Sequence, residues 1–424
     1  MTSSPAVPSA DDGSSWLRRL GPLILVLGSA GAANLFQIGG LRLSADRVLG
    51  VAAVLVFLVL LARRRVWWTG IHSALATFVA VQIGSSVLNA RQWPEGLKFA
   101  TVYAMGFCCF ALAAECARGP EGLRRTARAW IWVGAAVAIF GTSAAIAANA
   151  MQKGLPGTAG AQILAPGIAH RRVLFAARAT FNEWNLYSSF LLIPFSLALW
   201  AWRNGNGRRL VYPVAVIACG LVFGVTRAVW LAASCLVGVF WLAKRLNGRQ
   251  IAALGAIVAV AFAVQAVAVG ASPIRTRVIQ PLAARYDWNV AGRWLISSAT
   301  LHSVAKAPVI GHGAGSTNSL EVTLPGGAPL KKVWNGNAIL FVLHDSGAIG
   351  LAALLWVCAA AGRRGTRAIE RAGGREAAGL APPLLAAAGA LCVAFQFTHG
   401  LWLMYPYVFL GFLTAATEIP QEGG

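Results

Sequence analysis

The segment "CGLVFGVTRAVWLAASCLVGVFWL", residues 219–242, runs apolar for two dozen positions with one charge, Arg227, inside it. A charge at the centre of a spanning helix costs about 2.5–3.5 kcal/mol on insertion scales, so such a residue needs a use. Three further stretches bring polar groups to the heads of apolar or amphipathic runs. "ARATFNEWNLYSSFLL", 177–192, carries Arg178, Asn182, Glu183 and Asn185. "DWNVAGRWLISSATLHSVAKAPVIGHGAGSTNS", 287–319, places Arg293 near the start of an amphipathic helix that ends at Pro308 and a glycine turn containing His312. "VWNGNAILFVLHDSGAIGLAALL", 333–355, leads with Asn335 and Asn337 and sets His344 and Asp345 about two turns into a span. Ionisable residues at that depth default to a functional reading, facing the interior of a helix bundle; the structural alternative is that His344 and Asp345 cap a hydrogen-bond network. The loop "GHGAGS" has only a superficial likeness to a nucleotide loop. It follows a helix rather than a strand and lacks the Lys-Ser/Thr ending, so it reads as a tight turn.

The elements that must position these residues are membrane helices. Of 424 residues, 57% are hydrophobic and 12% charged, with a mean hydropathy of +0.64, whereas soluble chains carry about a quarter charged residues. Apolar runs near bilayer length recur at 22–38, 46–62, 66–88, 97–117, 128–149, 184–202, 210–226, 228–243, 250–270, 338–361, 380–397 and 401–417. The expected fold is an all-α polytopic membrane protein of about twelve transmembrane helices. Residues 1–21 read as a flexible cytoplasmic tail without a cleaved signal peptide, 22–270 as spans one to nine, 271–337 as an external helical cap, 338–417 as spans ten to twelve, and 418–424 as a second cytoplasmic tail. A second external segment covers 150–183.

Sidedness follows from the arginines. "WLRRL", "ARRRV", "CARGPEGLRRTAR", "RNGNGRR", "KRLNGR" and "GRRGTRAIERAGGR" fall in alternate gaps and hold 20 of the 36 Lys and Arg, which marks that face cytoplasmic. Arg227 then falls at the outer end of two tightly joined spans, free either to snorkel or to meet an anion in a cavity. The external face keeps sixteen basic residues, among them Arg171, Arg172, Arg275, Arg277, Arg285, Lys331 and Lys332, against six acids. A positive-inside protein does not need that excess. A site for phosphate or diphosphate does, because the planar arginine fork matches phosphate oxygens two at a time; anionic lipid headgroups are the alternative ligand. The net charge of +22 sits between spans, where it sets topology and meets membrane lipid, and no nucleic-acid-binding domain fits the short loops. The seven cysteines lie in or beside apolar runs without metal-ligand company and read as small buried apolar residues, so neither a metal nor a cofactor is expected.

"RATFNEWNLYSSFL", "GVTRAVWLA", "AGRWLISSATLHSVAKAPVIGHGAGS" and "NAILFVLHDSGAIGL", in that order and spacing, resemble the bacterial O-antigen ligase and polymerase family over roughly residues 20–417. The resemblance implies a multi-pass protein of the bacterial cytoplasmic membrane. It implies transfer of a glycan from an undecaprenyl-diphosphate carrier, without metal or nucleotide, to a lipid A-core sugar or another carrier-linked glycan. It also implies that Arg227 and Arg293 grip the diphosphate, with Arg178 a third candidate. Ligases of the family commonly carry a histidine directly before the asparagine of the late span, where this chain has Gly336 before Asn337. That departure leaves Asp345, His344, His312 and Glu183 as candidate bases, of which one is expected to act. A polymerase, or a transferase to another acceptor, then fits better than lipid A-core ligation. A transporter or flippase of lipid-linked glycan, and a scaffold for envelope assembly, remain alternatives.

Overall fold

The computed structural model describes residues 15–31, 34–38, 41–63, 66–89, 93–156, 158–162, 173–204, 208–269, 288–320, 322–323, 329–330, 335–371 and 379–418. Residues 1–14, 271–287 and 419–424, and with them parts of the expected tails and cap, lie outside the described residues. So do Arg171, Arg172, Arg275, Arg277, Arg285, Lys331 and Lys332.

Each of the twelve apolar runs holds a helix. In order these are α1 (Ser15–Ser29), α2 (Ala45–Ala62), α3 (Gly70–Leu88), α4 (Trp93–Cys116), α5 (Gly119–Met151), α6 (Trp184–Asn204), α7 (Val211–Phe223), α8 (Arg227–Leu242) and α9 (Gly248–Val269). After the amphipathic α10 (Trp288–Val304) come α11 (Ala338–Arg371), α12 (Ala381–Ala394) and α13 (Tyr405–Glu418). Seven of these helices are long and apolar enough to cross a membrane, the build of a helical membrane protein; α1, α7, α8 and α12 are apolar but shorter. Of the seven, α6 is the most enclosed, and α2 and α9 are the least. On α2, Val48, Val51, Leu55, Leu58 and Val59 form an exposed stripe at helical spacing, the pattern of a face turned to lipid.

Helices in lipid gain nothing from burying one another's apolar surface, so they hold together through close fit. Small residues supply it here. Gly134 of α5 receives Pro194 of α6, and Gly106 of α4 lies under the Tyr407 ring of α13. A Cβ at Gly411 of α13 would collide with the Phe110 carbonyl of α4. Around these crossings Phe190 and Tyr405 stand edge to face with ring centroids 5.7 Å apart, and Phe181 and Tyr405 do so at 6.1 Å.

Four expectations change. The all-α reading gives way to helices plus three short antiparallel hairpins: β1 (Asn34–Ile38) with β2 (Leu41–Ser44), β3 (Thr158–Gln162) with β4 (Val173–Ala177), and β5 (Val322–Thr323) with β6 (Pro329–Leu330). The run 22–38 is not one span, since α1 stops at Ser29 and Asn34–Ile38 pairs as a strand. Gly39-Gly40 between two alternating stretches is the hairpin signal there, and apolar content alone masks it. The N-terminal tail is shorter than 1–21, because α1 already includes residues 15–21. Among the cysteines, only Cys108, Cys109 and Cys116 are buried; Cys235, Cys358 and Cys392 are exposed on helix faces.

The β3–β4 hairpin leads the chain to Arg178 and depends on one residue. Asn149, buried at the end of α5, accepts from Phe175 N at 3.0 Å and donates to Phe175 O at 2.7 Å. Asn149→Ala leaves both backbone groups unpaired and is expected to cost about 1–3 kcal/mol. Thermal unfolding of the purified protein should show a lower midpoint, with Asn149→Asp, which keeps the acceptor only, in between.

Candidate functional site

Arg227 is the first residue of α8, directly after a turn in which Val225 takes φ +49°. Thr226 Oγ1 lies 3.0 Å from Asn185 Oδ1 and 2.9 Å from Gly224 O, which ties this turn to the head of α6. A cation at a helix N-terminus adds its charge to the positive end of the helix dipole, an arrangement that favours an anion outside it. Arg227 is half-buried there.

Arg293 comes from α10, far along the chain, yet it lies within electrostatic reach of Arg227. Partial burial and then the neighbouring Arg227 charge hold its guanidinium below the usual arginine range. Its Nη1 donates to the Phe397 carbonyl at the end of α12. The same corner is stitched by backbone bonds, Ala338 N to Phe395 O at 2.9 Å and His399 N to Gly336 O at 3.0 Å. Gly336 is pinned inside it: a Cβ there would run into the Phe397 carbonyl and stand 3.3 Å from Arg293 Nη1. His399 is fully buried behind the corner, its ring 4.0 Å from that of Phe341, and burial lowers its pKa to about 3, so it is neutral at physiological pH.

Arg293 also lines a cavity of about 280 Å³ with Trp294, Ile296, Ser297, Asn335, Gly336, Asn337, Gln396 and Phe397. Both predicted asparagines brace its wall, Asn337 through its side-chain oxygen. Asn335 Nδ2 donates to Thr300 Oγ1 of α10 at 2.8 Å, and its Oδ1 accepts from Asn337 N at 3.0 Å. Asn337 caps α11 by accepting from Leu340 N at 3.0 Å.

His344 and Asp345 are drawn into a second, deeper cluster. Gly347 breaks α11 with φ 64° and ψ −164°, nine residues or about 14 Å along its axis. The loop 308–317 crosses the break. His312 N donates to His344 O at 3.0 Å and Gly313 N to Asp345 O at 2.8 Å, while Ala348 N donates to Pro308 O at 2.8 Å. The fully buried Asp345 accepts from Gly315 N at 2.6 Å, Ser316 Oγ at 3.0 Å, Thr317 N at 3.1 Å and Thr317 Oγ1 at 2.5 Å. His344 and His312 stack with centroids 4.7 Å apart; His312 Nε2 donates to Ser303 O at 2.9 Å, and His344 Nε2 is 3.0 Å from Ser303 Oγ. From α3, Ser85 Oγ reaches Ile310 O and Asp345 O, each at 2.8 Å, and Asn89 Nδ2 donates to Gly311 O at 3.2 Å. "GHGAGS" is thus a tight turn, with Gly311, Gly313 and Gly315 all at positive φ.

The predicted residues therefore separate into groups. Arg227 and Arg293 lie within electrostatic reach of each other; Asn335 and Asn337 frame the cavity beside Arg293; His312, His344 and Asp345 form a separate knot. Arg178 is half-buried and donates to Asn182 O at 3.4 Å within its own turn. Glu183, at the head of α6, is exposed, yet the surrounding protein raises its carboxyl above the ordinary value. Sequence reasoning missed Ser303, the Phe397 carbonyl and, on and just after α3, Gln82, whose Nε2 donates to Ser346 Oγ at 2.8 Å, Ser85, Ser86, whose Oγ accepts from Ala314 N at 3.2 Å, and Asn89. That last set recurs at helical spacing inside an apolar run, which was a signal available to be read.

No family model matches the chain, and no curated protein matches it. Replacing Asp345 by asparagine puts an NH₂ against donors and is expected to cost about 2–3 kcal/mol. The check is a lower unfolding midpoint together with faster amide hydrogen exchange across residues 311–317.

Proposed function

We propose that the chain is a membrane glycosyltransferase that moves or polymerises a glycan held on an undecaprenyl-diphosphate carrier. In this reading the twelve helices on apolar runs cross the bacterial cytoplasmic membrane, both termini are cytoplasmic, and α10 with its loops is an external cap. The observation that carries the proposal is that Arg293, from a helix far along the chain, comes within electrostatic reach of Arg227 at the N-terminus of α8. Two like charges repel, and a site that holds them together is stabilised by a multiply charged anion. A diphosphate is such an anion, and it suits two planar forks.

A second feature supports a lipid form of that anion. An apolar cavity of about 640 Å³ runs between α6, α7, α8 and α9, and along α8 it is lined by Trp230, Ser234, Val237 and Trp241. Arg227 stands above these residues in the same helical register, at three, seven, ten and fourteen positions before them. A charged head at the arginines would continue into a hydrocarbon chain in that groove.

The chemistry follows from the charges. The bond between the anomeric carbon and the diphosphate oxygen breaks as an acceptor hydroxyl attacks that carbon. Negative charge grows on the departing diphosphate, where fixed guanidiniums stabilise it most. The acceptor proton needs a base within reach. Of the four candidates, Asp345 spends its oxygens on four donors and His344 is buried with it. Glu183 fits the role best. Its carboxylate is exposed, its pKa is raised, and it lies two residues from Asn185, which contacts the turn carrying Arg227.

The break in α11 favours a second reading, transport of lipid-linked glycan, because discontinuous helices with polar interiors are common in carriers. The two readings part on a gel of lipid-linked and surface glycans from a strain lacking the gene. Single repeat units accumulating on the carrier would indicate polymerisation, and long polymer stranded on the carrier would indicate ligation. Labelled lipid-linked glycan crossing proteoliposomes with no new glycosidic bond would replace transfer by transport. Arg227→Ala and Arg293→Ala are each expected to lower transfer about 10²–10³-fold with membrane insertion unchanged. Normal transfer by both variants would remove the proposed role of the pair.

A further inference from the structure

The cavity beside Arg293 contains a feature that anion binding leaves unused. Trp294 is 77% exposed, although it lines the cavity, and its companions there are Ser297, Asn337 and Gln396. A single exposed indole is common on a protein surface, but one set at a cavity beside three neutral hydrogen-bonding side chains has the make-up that holds a flat, hydroxylated ring. We infer that this cavity is a subsite for one neutral sugar ring, with the pyranose stacked on Trp294 and its hydroxyls bonded to Ser297, Asn337 and Gln396.

Three observations carry the inference, which rests on the transferase reading above. First, the chemistry of the lining matches a sugar: a π face for the C–H side of the ring, hydroxyl and amide groups for its edge, and no carboxylate among the lining residues. Second, the polar groups are held in place before any ligand arrives. Asn337 is fixed by its cap to Leu340 N, and Gln396 Nε2 donates to Cys392 O at 3.0 Å, so little side-chain freedom is lost on binding. Third, the position is right. Arg293 lines the same cavity, so the ring it holds would be the sugar next to the diphosphate. At about 280 Å³ the cavity is small among ligand pockets and suits a single ring rather than a chain.

The competing use of an exposed tryptophan is as an anchor at the membrane interface, and one experiment separates the two. The purified full-length protein in phospholipid nanodiscs is examined by saturation-transfer NMR with the methyl glycosides of glucose, galactose, mannose, rhamnose and N-acetylglucosamine. Farnesyl diphosphate is the parallel probe of the arginine pair. At least one glycoside should bind. Trp294→Leu, which keeps apolar bulk but loses the flat ring, should weaken that binding about tenfold, and Trp294→Phe should retain most of it. Both variants should keep the wild-type unfolding midpoint, which excludes misfolding as the cause. Binding equal in Trp294→Leu and wild type would overturn the subsite and leave Trp294 as an anchor. Farnesyl diphosphate binding with no glycoside bound would overturn the subsite while the diphosphate reading stands; no binding of either probe would overturn both.

Discussion

The architecture around the site depends on one buried carboxylate. Asp345 has no exposed surface and accepts four hydrogen bonds from three consecutive residues of the loop after α10. An unpaired charge at that depth would cost several kcal/mol, so the loop and the helix must come together or neither is stable. The break at Gly347 is the other half of the arrangement. It frees the carbonyls of His344 and Asp345 and the amide of Ala348 from the helix, and the crossing loop takes up all three. Non-helical backbone is tolerated at membrane depth where protein surrounds it and supplies partners, and here it does.

Because the loop is clamped to α11, the helix that precedes it is clamped as well. Successive residues of α10 fasten its length: Arg293 to the Phe397 carbonyl, Thr300 to Asn335, Ser303 to the two histidines. These positions recur at helical spacing, so a single face of α10 is bolted to α11 and the end of α12. The far end of that face carries the guanidinium that lies within electrostatic reach of Arg227. Arg227 is held independently, by the Thr226–Asn185 contact at the head of α6. Two like charges thus belong to two separately braced bodies, which keeps them from relaxing apart. In the proposed reading this is electrostatic preorganisation: the cost of assembling the charges is met in folding rather than at the moment of binding.

Much of this was legible in the residues. Runs of bilayer length located the helices, the arginine between two short spans lay where the chain turns, and three glycines in five positions meant a tight turn. What escaped depended on partners distant in sequence. "LHDSGAIGL" reads as unbroken helix, since Gly347 alone does not announce a break; what requires glycine is the backbone of Val309, which a Cβ at Gly347 would strike. The depth of His344 and Asp345 indicated importance but not of which kind, since a reacting carboxylate and a clamping one look alike until their donors are known. The hairpin at 34–44 was hidden because its first strand, in which Leu35, Phe36 and Ile38 mix with Asn34 and Gln37, closely follows the apolar run of α1. On α3 the serines and amides were visible but lay within a run whose mean hydropathy hid them.

Gly336 links the departure from the resembled family to the geometry around Arg293. Read from sequence, it is a lost histidine and therefore a lost base. In the folded chain its lack of a side chain is what lets the Phe397 carbonyl and Arg293 Nη1 approach the backbone there. A histidine at 336 would displace that carbonyl, and with it the acceptor that fixes Arg293. The base and the present setting of the arginine are then mutually exclusive at this corner. His399 does not restore the base, because it is enclosed behind the corner, out of an acceptor's reach, and burial makes it a weak proton acceptor. In the proposed transfer, proton removal is therefore supplied from another element, and the exposed Glu183 at the head of α6 stands two residues from Asn185, which contacts the turn carrying Arg227.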